Sequence, residues 1–422
     1  MDFKRKLERL RPMVPLRSTL EAEGVVATPR GEAPSRDDTL SALRAQMADI
    51  LGRKPAPKER IEPALVELPF IRSEAAHGPL HQRLERYGAG HAVGRIPVDA
   101  ALSAQAEALA LLSLDPSLAD VDPSRALFLD TETTGLSGSG TVAFLVGLAS
   151  FEGGELVVEQ LFLRTPAEEA PLLARVAERI EAASCLVTFN GKAFDLPTLQ
   201  GRYVMNRLAS PPVRPHLDLL HVARRLHKAR VGSCTLKAVE SEVLGFVRDA
   251  DIDGGDVAPR YAHYLRTGDE ASIRCVVDHN SWDVVSMAAL VGLYGEPLGT
   301  LHGDDLVGLA RTYRRAGALD RAERAAEAAV QGGAGPAGLR VRGEIAKARG
   351  DRARALADFE ALAAAIDDPR VRLELAKLYE HFVKEPDRAM ALLDQGTGER
   401  PEAAARRRAR LEQKSRRSRK PV

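Results

Sequence analysis

Residues 125–136 read Arg-Ala-Leu-Phe-Leu-Asp-Thr-Glu-Thr-Thr-Gly-Leu (RALFLDTETTGL). The apolar run Ala126–Leu129 predicts a short buried strand. Asp130 and Glu132 close it, and Thr133, Thr134 and Gly135 make a turn in which the backbone can approach a ligand closely. Side chains alternate along a strand, so acids at i and i+2 face the same way. A bare Asp-x-Glu is most often surface charge. An apolar strand that runs into the two acids and then into a glycine turn is much more specific.

The segments downstream of this strand fix the fold class. TVAFLVGLASF and ELVVEQLFL are strand-like runs separated by Glu152-Gly153-Gly154, a hairpin signal. In AEEAPLLARVAERIEAA, Leu172, Leu173, Val176 and Ile180 fall on one helical face. CLVTFN is a further buried strand, AFDLPTLQGRYVMNRL opens a helix, and HLDLL is a short strand or strand–helix junction. Three strands, a helix, a strand, a helix and another strand predict an α/β domain, a mixed sheet flanked by helices, over about 123–298.

Two later blocks add acids. Asp195 follows the strand CLVTF within Asn-Gly-Lys-Ala-Phe-Asp and begins a helix, where its ordinary role is an N-cap. Asn190 can bind a nucleotide or position a ligand, Phe194 can pack beneath a base or enter the core, and Lys192 is suited to a phosphate or simply to solvent. His279 and Asp283 lie four apart in a helical stretch and project from one face. Asp283 is the fourth acid, and His279 is of a type that accepts a proton from an attacking water near neutral pH. Asn280 and Trp282 lie between them, the tryptophan read as a packing residue. Asp218, with His216 and His221, has metal-like spacing, but structural roles are favoured. Asp130, Glu132, Asp195 and Asp283 together suit hard divalent cations, which prefer oxygen ligands. Two such ions can stabilise both oxygens of an in-line phosphoryl displacement.

Composition sets bounds. The chain has 422 residues, enough for two or three domains, with 45% hydrophobic and only 5% aromatic residues. Cys185, Cys234 and Cys275 form no C-x-x-C pair and fit a reducing compartment. No apolar run is long enough to span a bilayer, and MDFKRKLERLRP lacks the apolar core of a signal peptide. A soluble, cytoplasmic protein without a membrane partner is expected. The net charge of +1 hides an asymmetry: residues 400–422 carry ten Lys/Arg and two acids, so the remainder is mildly acidic. A basic tail over 396–422 either raises affinity for nucleic acid through phosphate neutralisation or is a disordered, solvated terminus.

Residues 1–60 are proline-rich and expected to be of low order, apart from a helix over Thr39–Leu51. Residues 61–122 are expected to be extended segments packed on the next domain. Residues 303–395 are alanine-rich and helical, and Asp-Arg-Ala recurs at 320, 351 and 387, each time after a helical segment. Helix pairs at this spacing suggest a tetratricopeptide-like solenoid, with an ordinary helical bundle as the plainer reading.

In combination and order the three acidic blocks resemble the DEDD superfamily of 3′–5′ exonucleases, which share the ribonuclease H-like fold. They look most like the YprB-like group of ribonuclease H-like proteins, which can carry tetratricopeptide repeats after the nuclease region. The resemblance covers roughly residues 60–300. It implies that Asp130, Glu132, Asp195 and Asp283 bind two Mg²⁺ or Mn²⁺ ions, that His279 is the general base, and that the substrate is a DNA or RNA strand attacked at its 3′ end. Thr133, Asn190, Lys192 and Phe194 are weaker candidates for substrate contact. One departure stands out. The superfamily's His branch usually has four residues between His and Asp, and its Tyr branch three. Here three residues, Asn280-Ser281-Trp282, follow His279, which stands where Tyr would. The N-x-x-x-F-D form of the second block is also that of the Tyr branch, as in proofreading domains of family B DNA polymerases. The alternatives are a structure-specific endonuclease and a non-catalytic adaptor that binds nucleic acid, or a protein partner through its helical repeats.

Overall fold

The computed structural model describes residues 67–135, 140–249, 251–295 and 301–418. The expectations for residues 1–60 lie outside the described residues. A seven-stranded mixed sheet is assembled from β1 (Ile71–Ala75), β2 (Gly78–Tyr87), β5 (Ala126–Thr133), β6 (Ala143–Glu152), β7 (Glu155–Phe162), β8 (Cys185–Thr188) and β9 (His216–Asp218) in the order β1-β2-β7-β6-β5-β8-β9. The two-residue strands β3 (Ala92–Val93) and β4 (Ile96–Pro97) pair separately. The main sheet is antiparallel from β1 to β5, while β8 and β9 run parallel to β5. The segment before β5 therefore contributes two strands that widen the sheet past the five read from sequence.

The β6–β7 turn is two residues, with Glu152 facing Glu155 and both Gly153 (φ 59°) and Gly154 (φ 91°) in the left-handed region. A type I′ turn demands this conformation at both positions, and its twist matches the flanking strands. Opposite Glu132 and Thr133 the register of β6 slips from Leu145 to Ala143. Such a bulge bends the strand and re-aims its side chains where β5 delivers its acids.

Helices cover both faces. The longer ones are α1 (Ala106–Ser113), α2 (Glu169–Ala182), α3 (Asp195–Met205), α4 (Leu219–Leu226), α5 (Gly254–Thr267) and α6 (Ala271–Gly295). The expected face of α2 is buried at Leu172, Leu173, Val176 and Ile180. Alternation along β5 sends Ala126 and Phe128 into one core and Leu127 and Leu129 into the other. The three cysteines are free thiols. Among the described residues no helix is long and apolar enough to cross a membrane.

An all-helical region follows: α7 (Gly303–Arg315), α8 (Leu319–Gln331), α9 (Gly335–Arg349), α10 (Arg352–Ala365), α11 (Pro369–Leu378), α12 (Pro386–Asp394) and α13 (Pro401–Ser418). Each Asp-Arg-Ala triplet lies at the start of the second helix of a pair, and Asp351 caps α10 through the Arg354 amide at 3.0 Å. The triplets are out of phase in packing, with Ala322 and Ala389 buried and Ala353 exposed.

The expectation of a disordered basic tail is corrected. Residues 401–418 form the helix α13, in which Leu411 is fully buried. Its cations do not all face solvent. The buried carboxylate of Glu380 accepts from Arg407, Arg410 and Lys414, and Arg407 also holds Glu399 at 2.8 Å. These cations, in a segment whose composition reads as solvated, are ion-paired to one buried acid.

Candidate active site

Asp130 and Glu132 continue the face of β5 that carries Ala126 and Phe128, and α6 lies across that face. The fully buried Asn280 links the layers. Its amide nitrogen donates to Asp130 Oδ2 at 2.8 Å, and its Oδ1 accepts from Gln160 Nε2 of β7 at 2.9 Å. Close approach here needs Gly147 of β6, since a Cβ at that position would lie 2.4 Å from Asn280 Oδ1.

One turn of α6 separates His279 from Asp283. His279 Nε2 lies 3.8 Å from Asp283 Oδ2 and 4.0 Å from Glu132 Oε1. One ligand atom from each of Glu132, His279 and Asp283 lies within 4.8 Å of the other two. Asp130 and Asp195 stand outside this tightest group. Asp195 is the first residue of α3, with Phe194 rather than itself in the N-cap position. Its buried carboxylate accepts from Thr131 Oγ1 at 2.5 Å, so it is tied to the strand residue between the two acids of β5.

The electrostatics are those of crowded, buried acids. Burial, followed by the charges of Asp283, Glu132 and Asp195, pushes the Asp130 carboxyl well above the usual range, against the Asn280 hydrogen bond. Burial pushes Glu132 up to about 8, opposed by His279 and reinforced by Asp283 and Asp195. Burial raises Asp195 to about 6. Burial alone would lower His279, but Asp283, Glu132 and the bond to Asp251 outweigh it and its pKa is raised. Carboxylates gathered against their own repulsion, with a nearby imidazole, are a donor set that a divalent cation would relieve. The residues present fit such an ion.

Three contributors went unread in the sequence. Arg248, with a side chain 1% exposed, donates to Glu240 through Nε (2.8 Å) and Nη2 (2.5 Å), reaches Asp283 Oδ1 at 2.5 Å and stacks over Trp282. Asp251 lies 2.6 Å from His279 Nδ1. These residues, with Glu240, come from the segment between α4 and α5, and Asp251 and Arg248 lie 28 and 35 positions before their partners on α6. The only sequence cue was the charged run VRDADID.

Thr133 is buried and its hydroxyl donates to the Gly135 carbonyl at 2.7 Å. Asp218 accepts from the backbone N–H groups of Asn190, Lys192 and Leu220 at 2.9–3.1 Å. It thus caps α4 and holds the turn after β8, where Asn190 is exposed at φ 73°. His216 pairs with Thr188 Oγ1 at 2.8 Å, and burial lowers its pKa to about 4. His216, Asp218 and His221 are not among the metal-competent groups of the described residues. Lys192 Nζ is 3.7 Å from Asp115, and Phe194 is half-buried.

A model of the RNase_H superfamily matches residues 127–294, a stretch that contains both strand acids, Asp195, His279 and Asp283. An uncharacterised protein of Bacillus subtilis (strain 168), YprB, is 38% identical over 166 residues, 39% of this chain and 40% of that protein. Among solved structures, a family B DNA polymerase from the archaeon Pyrobaculum calidifontis is similar over 45% of this chain and 29% of its own, with 14% identity and a TM-score of 0.31. The mixed sheet and its flanking helices have a ribonuclease H-like fold, in accord with the superfamily match over residues 127–294, and an all-helical region follows.

Proposed function

We propose that the domain is a phosphodiester hydrolase acting on DNA or RNA, a 3′–5′ exonuclease using two divalent cations, Mg²⁺ or Mn²⁺. The observation that carries this reading is the grouping of Glu132, His279 and Asp283 within 4.8 Å, with Asp130 held beside it on the same strand face. Asp130, Glu132, Asp195 and Asp283 would hold the ions, which when bound neutralise charge on the attacking and leaving oxygens. His279 accepts the proton of the attacking water at Nε2, the ring nitrogen that faces the acids. Four acids without a cation would repel the phosphates of a bound strand, which argues against a purely binding role.

In this reading residues 123–298 are the catalytic unit, with Thr133, Asn190, Lys192 and Phe194 as secondary substrate contacts. Residues 303–395 are tetratricopeptide-like repeats that offer a surface to a protein partner. Support for the repeats comes from ion pairs between successive helix pairs at similar separations, Arg314 with Glu344, Arg340 with Asp368 and Arg354 with Glu327.

The test is degradation of 5′-labelled single-stranded DNA and RNA with Mn²⁺ or EDTA, comparing wild type with Asp130→Asn. A metal-dependent ladder shrinking from the 3′ end and lost in the variant is expected. Internal cuts lost in the variant would replace the exonuclease by an endonuclease. Absence of cleavage on either strand type would replace both by the adaptor.

A further inference from the structure

We propose that Asp251 is a positioning residue for His279. It holds the imidazole in the Nδ1–H tautomer, so that Nε2 presents its lone pair to the pocket formed by Glu132 and Asp283. The inference rests on the reading of that pocket as the hydrolytic site. Its geometry stands independently of substrate.

An imidazole nitrogen carries a hydrogen or a lone pair, and its two neighbours here ask for opposite things. Asp251 Oδ1, 2.6 Å from Nδ1, is an acceptor and requires a hydrogen there. Arg248 Nη1, 3.2 Å from Nδ1, is a donor and would require a lone pair. The carboxylate contact is much the shorter, and a charged acceptor forms the stronger bond. Arg248 is moreover already engaged by Glu240 and Asp283. Once Nδ1 holds the hydrogen, a neutral ring has its lone pair at Nε2. Neither Asp283 Oδ2 (3.8 Å) nor Glu132 Oε1 (4.0 Å) lies within hydrogen-bonding distance of Nε2, which leaves that lone pair directed into the pocket.

The support for Asp251 is built in. Its carboxylate is 3% exposed, and Arg248 lies on the same loop, anchored by its two bonds to Glu240 in the turn before it. Lys237 Nζ lies 3.3 Å from the other oxygen, but that lysine is 61% exposed and screened by water, so His279 is the principal partner of the acid. A carboxylate that fixes the tautomer and direction of a working histidine is a general device of hydrolytic sites. Here it arrives from a loop, and Arg248 beside it restrains Asp283 through Oδ1 and leaves Oδ2 toward the pocket.

The experiment uses the full chain labelled with ¹⁵N-histidine. Two-bond ¹H–¹⁵N correlation spectra are recorded at alkaline pH, with His279 assigned by its loss in His279→Gln. Wild type should show the Nδ1–H pattern. Asp251→Ala should move it toward Nε2–H, and kcat on the strand that wild type degrades should fall about 10²–10⁴-fold with little change in KM. An Nε2–H pattern in wild type, or a wild-type pattern in Asp251→Ala, overturns the assignment. If Asp251→Ala does not fold, the wild-type spectrum decides alone. If wild type cleaves nothing, the nuclease reading fails while the spectra still decide whether Asp251 sets the tautomer.

Discussion

Burial and neighbouring charge leave Glu132 with a pKa of about 8, against 4.5 for the free side chain. That difference is a statement about stability. Between these values the unfolded chain has released the proton that the folded chain still holds. The stability tied to this proton is therefore present in acid and lost as pH rises through the folded pKa. We expect the cation-free protein, in EDTA, to melt at progressively lower temperature from about pH 5 to about pH 8. Glu132→Gln should reduce that slope, leaving the part that Asp130 and Asp195 contribute, and raise the melting temperature at the alkaline end by on the order of 3 °C, the equivalent of about 1 kcal/mol. Mn²⁺ should flatten the slope more for wild type than for the variant. Scanning calorimetry across this range checks it, and an unchanged slope in the variant would remove Glu132 as its source. At this scale the sequence was legible where chemistry and local pattern coincide. Asp130 and Glu132 end an apolar run, and His279 and Asp283 share a helix face. Asp251 and Arg248 were not legible, because a loop has no periodicity to say where its side chains point and their partners lie 28 and 35 residues away.

Elements were read well where one face meets one core, and poorly where a single partner decides. The buried stripe of α2 and the Gly153-Gly154 turn follow from periodicity and backbone conformation alone. For α13 the same reasoning fails. Cations at the helical spacing Arg407, Arg410 and Lys414 look like a solvated face until Glu380, on a different element, is placed beneath them. Burial would raise Glu380, but Arg410 and Lys414, with the neighbouring charge of His381, hold its carboxyl down to about 2. A depressed acid contributes stability above its unfolded pKa and loses it as pH falls through the folded one. Docking of α13 should accordingly weaken on acidification from about pH 4.5 toward about pH 2. At neutral pH, Glu380→Gln should reproduce the effect, costing about 1–2 kcal/mol locally because the freed cations can return to water. Limited trypsinolysis with mass spectrometry reads it directly. Cleavage after Arg407 and Arg410 should accelerate several-fold in the variant, and equal rates in both proteins would show that Leu411 and its apolar neighbours hold the helix without the acid.

The helical region is not an appendage of the sheet domain. One continuous apolar core runs from Phe128 of β5 through α4 and α6 to Leu306, Leu309 and Tyr313 of α7 and on to Ile345 of α9. Composition showed that residues 303–395 are helical but not that they are welded to the domain before them, since the weld depends on a few positions inside an otherwise ordinary amphipathic pattern. Gly308 is one: a Cβ there would lie 2.6 Å from the carbonyl oxygens of Arg225 and Leu226, so only glycine lets α7 settle on the end of α4. Asp305 is another. In the first turn of α7, where the helix dipole favours an anion, its buried carboxylate accepts from Arg230 at 2.8 Å and lies 3.1 Å from His227 Nδ1, whose other nitrogen pairs with Tyr294 of α6 at 3.0 Å. Asp305→Ala would leave the buried His227 without this partner and Arg230 partly buried without its anion, at a cost of about 3 kcal/mol. That loss falls on the junction and not on either side of it. We therefore expect calorimetry of the full chain to change from one cooperative transition to two, with the helical region melting first. A single transition that merely shifts downward would mean that the shared apolar core couples the two regions without the polar cluster, and that Asp305 serves only as a favourable charge in the first turn of α7.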